Sequence, residues 1–301
     1  MAAPRGTGDE APLSASAARS AISRCRHASR NQAAVAHCRS SSAAIASRRC
    51  HKCWLLVSQT TVPPSEKIVP ARAPAGFDVK GAQWIKFTRK DGKQQLAAIF
   101  RPAQALAASP VVVLLHGSSG LARIQLDLAH RLARAGFVVL AGCYLDATPS
   151  AVLAVMPCRG LLNGNAATEA TVRPGYQALL DVATHLIGVN PKKLAVLGIS
   201  LGANVALTDD DARVKAIVAD SGFRAAGGVT TQPVLLLGML GDPNVPHSQV
   251  AGFEQAQRQA GRPVQFHYYP GRSHVALFGR PGVASDALFR TLAFLHHQLA
   301  P

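Results

Sequence analysis

The sequence KLAVLGISLGANVAL, residues 193–207, decides the fold. It begins as an apolar run of strand length, passes through the pentapeptide GISLG at residues 198–202, and resumes with apolar residues at helical spacing. This pattern predicts a buried strand, a very tight turn and a helix. A turn of this kind holds its central residue clear of the backbone, so the residue at its centre is the first candidate for a functional group.

Ser200 is that residue, and we predict that it is a nucleophile. A serine hydroxyl is weakly reactive unless a base lies beside it, and a sharp turn between strand and helix exposes the hydroxyl to such a base. Gly198 and Gly202 occupy positions where a side chain would collide with the neighbouring strand or helix. The N–H of Leu201 then lies at a helix N-terminus, where the dipole favours negative charge, and we predict that it donates to an oxyanion.

Composition indicates one large domain with a basic tail. The chain has 301 residues, of which 48% are hydrophobic, and this suffices for a substantial core. Its net charge of +16 is densest in residues 1–60, which hold nine basic and two acidic side chains. The sequence contains no aromatic-interleaved basic stripe and no nucleic-acid motif. We therefore predict no nucleic-acid partner, and DNA binding through the tail is the weakest alternative.

Residues 1–70 are rich in Ala, Ser and Arg, poor in acids and without sustained periodicity. Such a segment buries too little apolar surface to offset its ordering entropy, so we predict that it is disordered and that residues 71–301 form the domain. The run WLLV at residues 54–57 is too short for a signal-peptide core or a membrane span. We expect a cytoplasmic protein without membrane association. A transit-like or mis-translated extension would have the same composition.

Four of the six cysteines lie in the tail, and Cys143 and Cys158 lie in the predicted domain. The tail motif CHKC at residues 50–53 resembles half of a zinc knuckle, but no second spaced pair accompanies it. We therefore predict no metal site and no cofactor. Cys143 and Cys158 would be bridged in an exported protein, whereas isolated thiols are the default expectation.

Strand and helix patterns alternate almost without exception after the tail. An antiparallel ribbon at residues 82–100 is followed by six apolar strand-length runs separated by amphipathic segments. The alternation predicts an α/β fold with a mostly parallel, twisted sheet of about eight strands and helices on both faces. Residues 143–170 are irregular and have the length of a lid or binding loop. Pro174 is predicted to start the helix that follows.

Ligands of such sheets bind beyond the carboxyl ends of the strands, and chemically useful side chains occur there. Asp242 follows one predicted strand and His274 follows the next. With Ser200 they predict a catalytic triad, in which His274 is the general base and Asp242 fixes the imidazole tautomer. Asp220, also at a strand end, is an alternative for the acid.

An oxyanion hole needs two N–H donors, and the loop that begins at His116 offers the second. We predict that the N–H of Ser118 joins that of Leu201, and that His116 braces the loop rather than catalyses. Cys143 and Tyr144, at the end of the next strand, are predicted to line the substrate pocket. Core packing explains Cys143 equally well.

Four motifs in this order resemble the α/β-hydrolase superfamily, specifically its dienelactone-hydrolase-like branch. They are the elbow Gly198–Gly202, the turn His116-Gly117, the Asp-x-x-Val-Pro loop at residues 242–246, and the Tyr-Pro-Gly-x-x-His loop at residues 269–274. The resemblance spans about residues 75–301 and implies an α/β-hydrolase fold and ester cleavage. Dienelactone hydrolases proper use a cysteine where this elbow carries Ser200. This departure favours a serine esterase acting on a small to medium carboxylic ester, lactone or thioester through an acyl-enzyme.

Two other functions stay open at this point. A prolyl-oligopeptidase-like peptidase has similar motifs, but it usually carries a gating propeller that residues 1–70 cannot form. A non-catalytic binding protein on the same fold has no need of a complete triad. The exact ester and the oligomeric state do not follow from the sequence.

Overall fold

The computed structural model describes residues 68–104, 108–145, 158, 169–208, 210–224, 228–274 and 277–300. Within these ranges, nine strands form one sheet. In chain order they are β1 (Ile68–Pro70), β2 (Gln83–Thr88), β3 (Gln94–Phe100), β4 (Ser109–Leu115), β5 (Val138–Gly142), β6 (Val189–Ile199), β7 (Val214–Asp220), β8 (Val234–Met239) and β9 (Val264–Tyr269). Their spatial order is β1-β2-β3-β5-β4-β6-β7-β8-β9.

The sheet is antiparallel at one side and parallel over the rest. β1, β2 and β3 pair antiparallel, as do β3 and β5. The other six strands, β5, β4, β6, β7, β8 and β9 in spatial order, are parallel to one another. β6 lies near the centre, next to β4, and Gly198 near its end is level with Leu115 of β4 and Ala219 of β7. Because the parallel strands end at a common edge, the loops after β4, β6, β7, β8 and β9 lie together there.

Five α-helices among the described residues cover the sheet. They are α1 (Arg123–Arg134), α2 (Glu169–His185), α3 (Leu201–Thr208), α4 (His247–Gln259) and α5 (Ala284–Gln298), with a 3₁₀ turn at Leu277–Gly279. Residues of α1 and α5 belong to the hydrophobic cluster on one face, and residues of α2, α3 and α4 to the cluster on the other. The predicted α/β-hydrolase architecture, with a mostly parallel sheet between two helical layers, is confirmed.

β4 shows why the buried stretches of the parallel strands are apolar. Val111, Val113 and Leu115 pack in one cluster, and Val112 and Leu114 pack in the other, all without exposed surface. Successive side chains of a strand point to opposite faces, so a strand covered on both faces needs an apolar residue at every position. Each such side chain contributes about 1.5–3 kcal/mol through burial.

Three sequence-based predictions of structure need correction. The sheet has nine strands rather than eight, because β1 adds an antiparallel edge strand of only three residues beside β2. That strand occupies the end of the segment predicted to be disordered, so the folded part begins by Ile68; residues 1–67 lie outside the described ranges. α2 begins at Glu169, and Pro174 lies inside it rather than at its start. Without an N–H, Pro174 cannot donate to the carbonyl of residue 170.

The prediction of isolated thiols is also wrong. Cys143 and Cys158 form a disulfide across 15 positions of sequence, and both are almost fully buried. The remainder of the irregular segment, residues 146–157 and 159–168, lies outside the described ranges. Helices long and apolar enough to cross a bilayer do not occur in the described part of the chain.

Candidate active site

The turn after β6 holds Ser200 in a conformation that few side chains adopt. Its φ is +53°, and its N–H donates to the carbonyl oxygen of Asp220 on β7 at 2.8 Å. A Cβ added to Gly198 would lie 2.3 Å from the carbonyl oxygen of Gly202, and one added to Gly202 would lie 2.6 Å from that of Leu115. The two glycines therefore let the helix start directly against the strand ends, and the half-buried Ser200 lies at the tip of the turn.

The structure brings the predicted base to the predicted nucleophile. Nε2 of His274 lies 2.9 Å from Oγ of Ser200, although 74 positions separate them in sequence. Nδ1 of His274 lies 2.8 Å and 3.0 Å from the two carboxylate oxygens of Asp242. Because a carboxylate only accepts hydrogen bonds, Nδ1 carries the proton and Nε2 is free to accept the Ser200 proton.

Asp242 is held in place from its other side. Its Oδ1 accepts the N–H groups of Asn244 at 2.8 Å and Val245 at 3.0 Å, and its side chain is only 1% exposed. The N–H of Gly241 donates to the carbonyl oxygen of Gly271 at 2.8 Å, which joins the acid loop to the histidine loop. The relative positions of acid and base are therefore fixed by backbone as well as side-chain bonds.

Asp220, the alternative acid, lies elsewhere. Its Oδ1 accepts a hydrogen bond from Oγ of Ser221 at 2.9 Å, and its carboxyl group has no exposed surface. Burial, reinforced by the negative charge of Asp242, raises the pKa of Asp220 to about 7. The carboxyl group against His274 is thus that of Asp242, and Asp220 supports the elbow through its backbone.

The predicted oxyanion donors both lie at the elbow. Leu201 is the first residue of α3 and follows Ser200 directly. A Cβ added to Gly117 would lie 3.5 Å from Cβ of Ser200, so the loop after β4 passes against the nucleophile. Ser118, the next residue of that loop, is exposed. The assignment of both N–H groups to an oxyanion hole stays a prediction.

His116 and Tyr144 form a buried pair behind that loop. The Tyr144 hydroxyl donates to the carbonyl oxygen of His116 at 2.8 Å, and the ring centroids are 4.6 Å apart. Nδ1 of His116 lies 2.7 Å from the carbonyl oxygen of Gly117, and burial lowers the pKa of His116 to about 4. The bond supports the predicted bracing role of His116.

The structure does not support substrate contact by Tyr144 or Cys143. Tyr144 has no exposed surface and its hydroxyl is already bonded within the protein. Cys143 is 6% exposed and its sulfur is used in the disulfide. Sequence reasoning missed the role of Tyr144, because a tyrosine at a strand end carries no sign of its hydrogen-bond partner. For Cys143 it left both a bridge and core packing open, and the structure has both.

Fold and site together define a class of protein. A mostly parallel sheet with helices on both faces and a strained serine elbow after its central strand is the architecture of the α/β-hydrolases. Among the described residues, no group of three His, Cys, Asp or Glu side chains is placed to hold a metal ion.

The model of the dienelactone hydrolase family matches residues 96–287, well over half of the chain. The chain therefore belongs to the dienelactone hydrolase family, and the resemblance read from the sequence is confirmed. The family supports hydrolase activity. A search of curated protein sequences gives no match.

Several solved structures share this fold. A dienelactone hydrolase-like promiscuous phosphotriesterase from metagenomic libraries is 21% identical, with a TM-score of 0.60 over 73% of this chain and 100% of its own. A thermophilic esterase from the planctomycete Thermogutta terrifontis is 17% identical, with a TM-score of 0.59 over 74% of this chain and 95% of its own. Thermogutta terrifontis esterase 2 has also been solved phosphorylated by paraoxon, at 18% identity and a TM-score of 0.58 over 76% of this chain and 100% of its own.

Proposed function

We propose that the protein is a serine hydrolase that cleaves a small to medium carboxylic ester, lactone or thioester. The observation that supports this most directly is the continuous hydrogen-bonded arrangement of Ser200, His274 and Asp242, with contacts of 2.9 Å and 2.8 Å. A hydroxyl, an imidazole and a buried carboxylate in this order are what acyl transfer requires.

The steps follow from the positions of the atoms. Nε2 of His274 takes the proton as Oγ of Ser200 attacks the carbonyl carbon of the ester, and Asp242 stabilises the resulting imidazolium. The N–H groups of Leu201 and Ser118 receive the oxyanion, and loss of one such donor typically costs about 3 kcal/mol of barrier. His274 then returns the proton to the leaving alcohol or thiol, and a water molecule hydrolyses the acyl-enzyme by the same route.

The relatives support an ester or phosphoester as the reacting group. One is described as a phosphotriesterase and another as an esterase phosphorylated by paraoxon. An organophosphate of this type transfers its phosphoryl group to a nucleophile that has been activated for acyl transfer. We therefore propose that paraoxon modifies Ser200 and releases p-nitrophenol.

The disulfide bears on the compartment. Structural disulfides persist in oxidising compartments and are rare in the cytosol. The Cys143–Cys158 bond therefore favours an oxidising compartment over the cytoplasmic localisation expected from composition. We therefore propose an oxidising compartment. Peptide mass mapping of the native protein without reductant tests whether Cys143 and Cys158 are bonded there.

The decisive experiment combines hydrolysis with labelling. The purified chain should cleave short p-nitrophenyl esters with a burst of product, and paraoxon should add one diethylphosphoryl group to the peptide containing Ser200. Ser200→Ala should abolish turnover and labelling while the circular dichroism spectrum is unchanged. Ser248→Ala, an exposed serine of α4, is the control and should behave as the wild type. Full activity in Ser200→Ala would refute the mechanism, and a wild type that neither turns over nor labels would favour a non-catalytic binding protein.

A panel of peptide substrates distinguishes the esterase from the second candidate, a prolyl-oligopeptidase-like peptidase. The family model that matches the chain is that of the dienelactone hydrolases, whose name describes ester cleavage. We therefore expect proline-containing peptide anilides to be cleaved far more slowly than the esters. Comparable kcat/KM for the two substrate classes would favour the peptidase.

A further inference from the structure

We infer that Tyr144 is a positioning residue for the oxyanion loop His116–Ser118, and that the Cys143–Cys158 disulfide anchors it. The inference rests on the proposed serine hydrolase mechanism, because it concerns how that mechanism's second oxyanion donor is held. It assigns a role to a tyrosine hydroxyl and a disulfide that have no direct contact with substrate.

Two successive peptide groups of the loop are held by side chains. The Tyr144 hydroxyl donates to the carbonyl oxygen of His116, at 2.8 Å. Nδ1 of His116 lies 2.7 Å from the carbonyl oxygen of Gly117 and donates to it, because a carbonyl only accepts. The first bond fixes the peptide between His116 and Gly117, and the second fixes the peptide between Gly117 and Ser118.

The second of these peptides contains the proposed donor. The carbonyl of Gly117 and the N–H of Ser118 belong to one planar group and point in opposite directions when the peptide is trans, and the described chain has no cis peptide. Fixing the carbonyl therefore fixes the direction of the N–H. The N–H of Gly120 donates to the same carbonyl at 3.1 Å and adds a second constraint.

The His116 ring can serve in this way because it is neutral and packed. It has no exposed surface, its ring lies 4.6 Å from that of Tyr144, and burial lowers its pKa to about 4. At neutral pH the ring therefore holds one proton, which Nδ1 uses for Gly117. The titratable groups that hold the loop are His116 and Tyr144. Burial raises the pKa of the Tyr144 hydroxyl, so this hydroxyl stays protonated and can donate.

Tyr144 is itself held by close packing and a covalent bond. A Cβ added to Gly175 of α2 would lie 2.0 Å from the carbonyl oxygen of Tyr144, so the helix lies directly against its backbone. The preceding Cys143 donates its N–H to the carbonyl oxygen of Leu96 at 2.9 Å and is bonded to Cys158. The tyrosine backbone is therefore constrained on both sides, and its hydroxyl is a fixed donor.

The first test compares two tyrosine variants. Tyr144→Phe removes only the hydroxyl, and we expect kcat for a p-nitrophenyl ester to fall by about 10-fold to 100-fold with KM little changed. Loss of an oxyanion donor typically lowers kcat by roughly 10²–10³-fold, and a misaligned donor should lower it less. Thr291→Val is the matched control. Its buried hydroxyl donates to the carbonyl oxygen of Ala287 in α5 at 2.8 Å, and α5 packs in the cluster on the other face of the sheet, so the variant should lose stability without losing kcat.

Inhibition by a transition-state analogue separates positioning from a merely structural role. A trifluoromethyl ketone forms an oxyanion on the enzyme, so its affinity should fall in Tyr144→Phe in proportion to kcat/KM. A wild-type kcat and inhibitor affinity in Tyr144→Phe would refute the inference, whatever its melting temperature. An inactive wild type would instead refute the proposed function, so the two failures are distinguishable.

The second test probes the covalent anchor. Dithiothreitol reduces the disulfide to two thiols and is itself oxidised to its cyclic disulfide. We expect reduction to lower wild-type kcat and reoxidation to restore it, with a much smaller effect in Tyr144→Phe because the connection to the loop is already broken. Equal fold-changes in the two proteins would refute the anchoring role. If Tyr144→Phe fails to fold, Cys158→Ala tests the same connection, and an unchanged kcat in that variant would refute it.

Discussion

The backbone N–H of Ser200 donates to the carbonyl oxygen of Asp220 at 2.8 Å, so the nucleophile is bonded to a residue whose own carboxyl group is fully buried. That carboxyl group accepts one hydrogen bond, from Ser221, and its other oxygen has no partner among the described residues. Both Ser200 and Ser221 have φ of +53°. The strained elbow is therefore next to a second strained serine and a buried acid, and the acid makes the stability of this region depend on pH.

Asp220→Asn should stabilise the protein above neutral pH and not below pH 4. The pKa of Asp220 is about 7 in the folded protein and near 3.9 in an unfolded chain. Between these values the folded state binds more protons, so the wild type loses stability as the pH rises. The difference in unfolding free energy between variant and wild type should grow by roughly 4 kcal/mol from pH 4 to pH 8. Urea unfolding at several pH values measures it.

Asp286→Asn is the control with the opposite sign. Hydrogen bonds from Arg290 and Tyr269 lower the pKa of the half-buried Asp286. Its ionised form therefore contributes stability above the unfolded pKa, and that contribution is lost as the pH falls. Relative to the wild type, this variant should be less stable at neutral pH and equal in acid. A pH-independent difference for Asp220→Asn would contradict the buried-acid interpretation.

Asp242→Asn should lower kcat by about 10³–10⁴-fold with little change in stability. The amide oxygen can still accept the N–H groups of Asn244 and Val245, so the loop keeps its shape. Its NH₂ would instead face Nδ1 of His274, which forces the proton onto Nε2 and removes the base for Ser200. Ester hydrolysis and the melting temperature test this together.

Asp211→Asn is the matched control for that variant. Asp211 binds Arg213 through both carboxylate oxygens, but it precedes β7 and so lies at the edge of the sheet away from the site. Loss of the Asp211 carboxylate should lower the stability of the protein and leave kcat unchanged. An Asp242→Asn variant with kcat within about tenfold of the wild type would mean that the carboxylate has no catalytic role.

Gly202→Ala and Gly252→Ala should have opposite effects on stability. The added methyl at Gly202 would lie 2.6 Å from the carbonyl oxygen of Leu115, so we expect a loss of about 1–3 kcal/mol and a fall in activity. At Gly252, inside α4, nothing lies within 4 Å, and alanine should stabilise the helix by roughly 0.5–1 kcal/mol without a change in kcat. Thermal unfolding and ester hydrolysis distinguish the two, and a stable, active Gly202→Ala would show that the elbow tolerates a wider turn.

The sequence predicts those parts of the structure that depend on local pattern. Residues 111–115 of β4 are all apolar because they are buried on both faces of the sheet, and this is visible without coordinates. The elbow is also visible, because only glycine fits at the positions two residues before and two residues after Ser200. Asp242 and His274 could be proposed as partners because the carboxyl ends of parallel strands share one edge of the sheet, and both residues follow such ends. Asp220 satisfies the same rule, so only the structure separates the two acids.

The features missed by the sequence depend on contacts between distant segments. β1 has three residues, too few for any alternation, and exists because β2 offers an edge. The partner of the Tyr144 hydroxyl is a backbone carbonyl 28 positions away, which no side-chain pattern encodes. The disulfide depends on where the fold places Cys158, so spacing alone could not separate paired from isolated thiols.

Removal of the Cys143–Cys158 disulfide should lower the unfolding free energy by about 3 kcal/mol, since it closes a loop of 15 positions in the unfolded chain. The Cys143→Ala/Cys158→Ala double variant should unfold at lower denaturant concentration than the oxidised wild type and should not respond further to dithiothreitol. Peptide mapping without reductant should recover the crosslinked pair from the wild type. Equal stability of the wild type with and without dithiothreitol, with the bond shown to be reduced, would contradict the prediction, because the loop would then be held by packing alone.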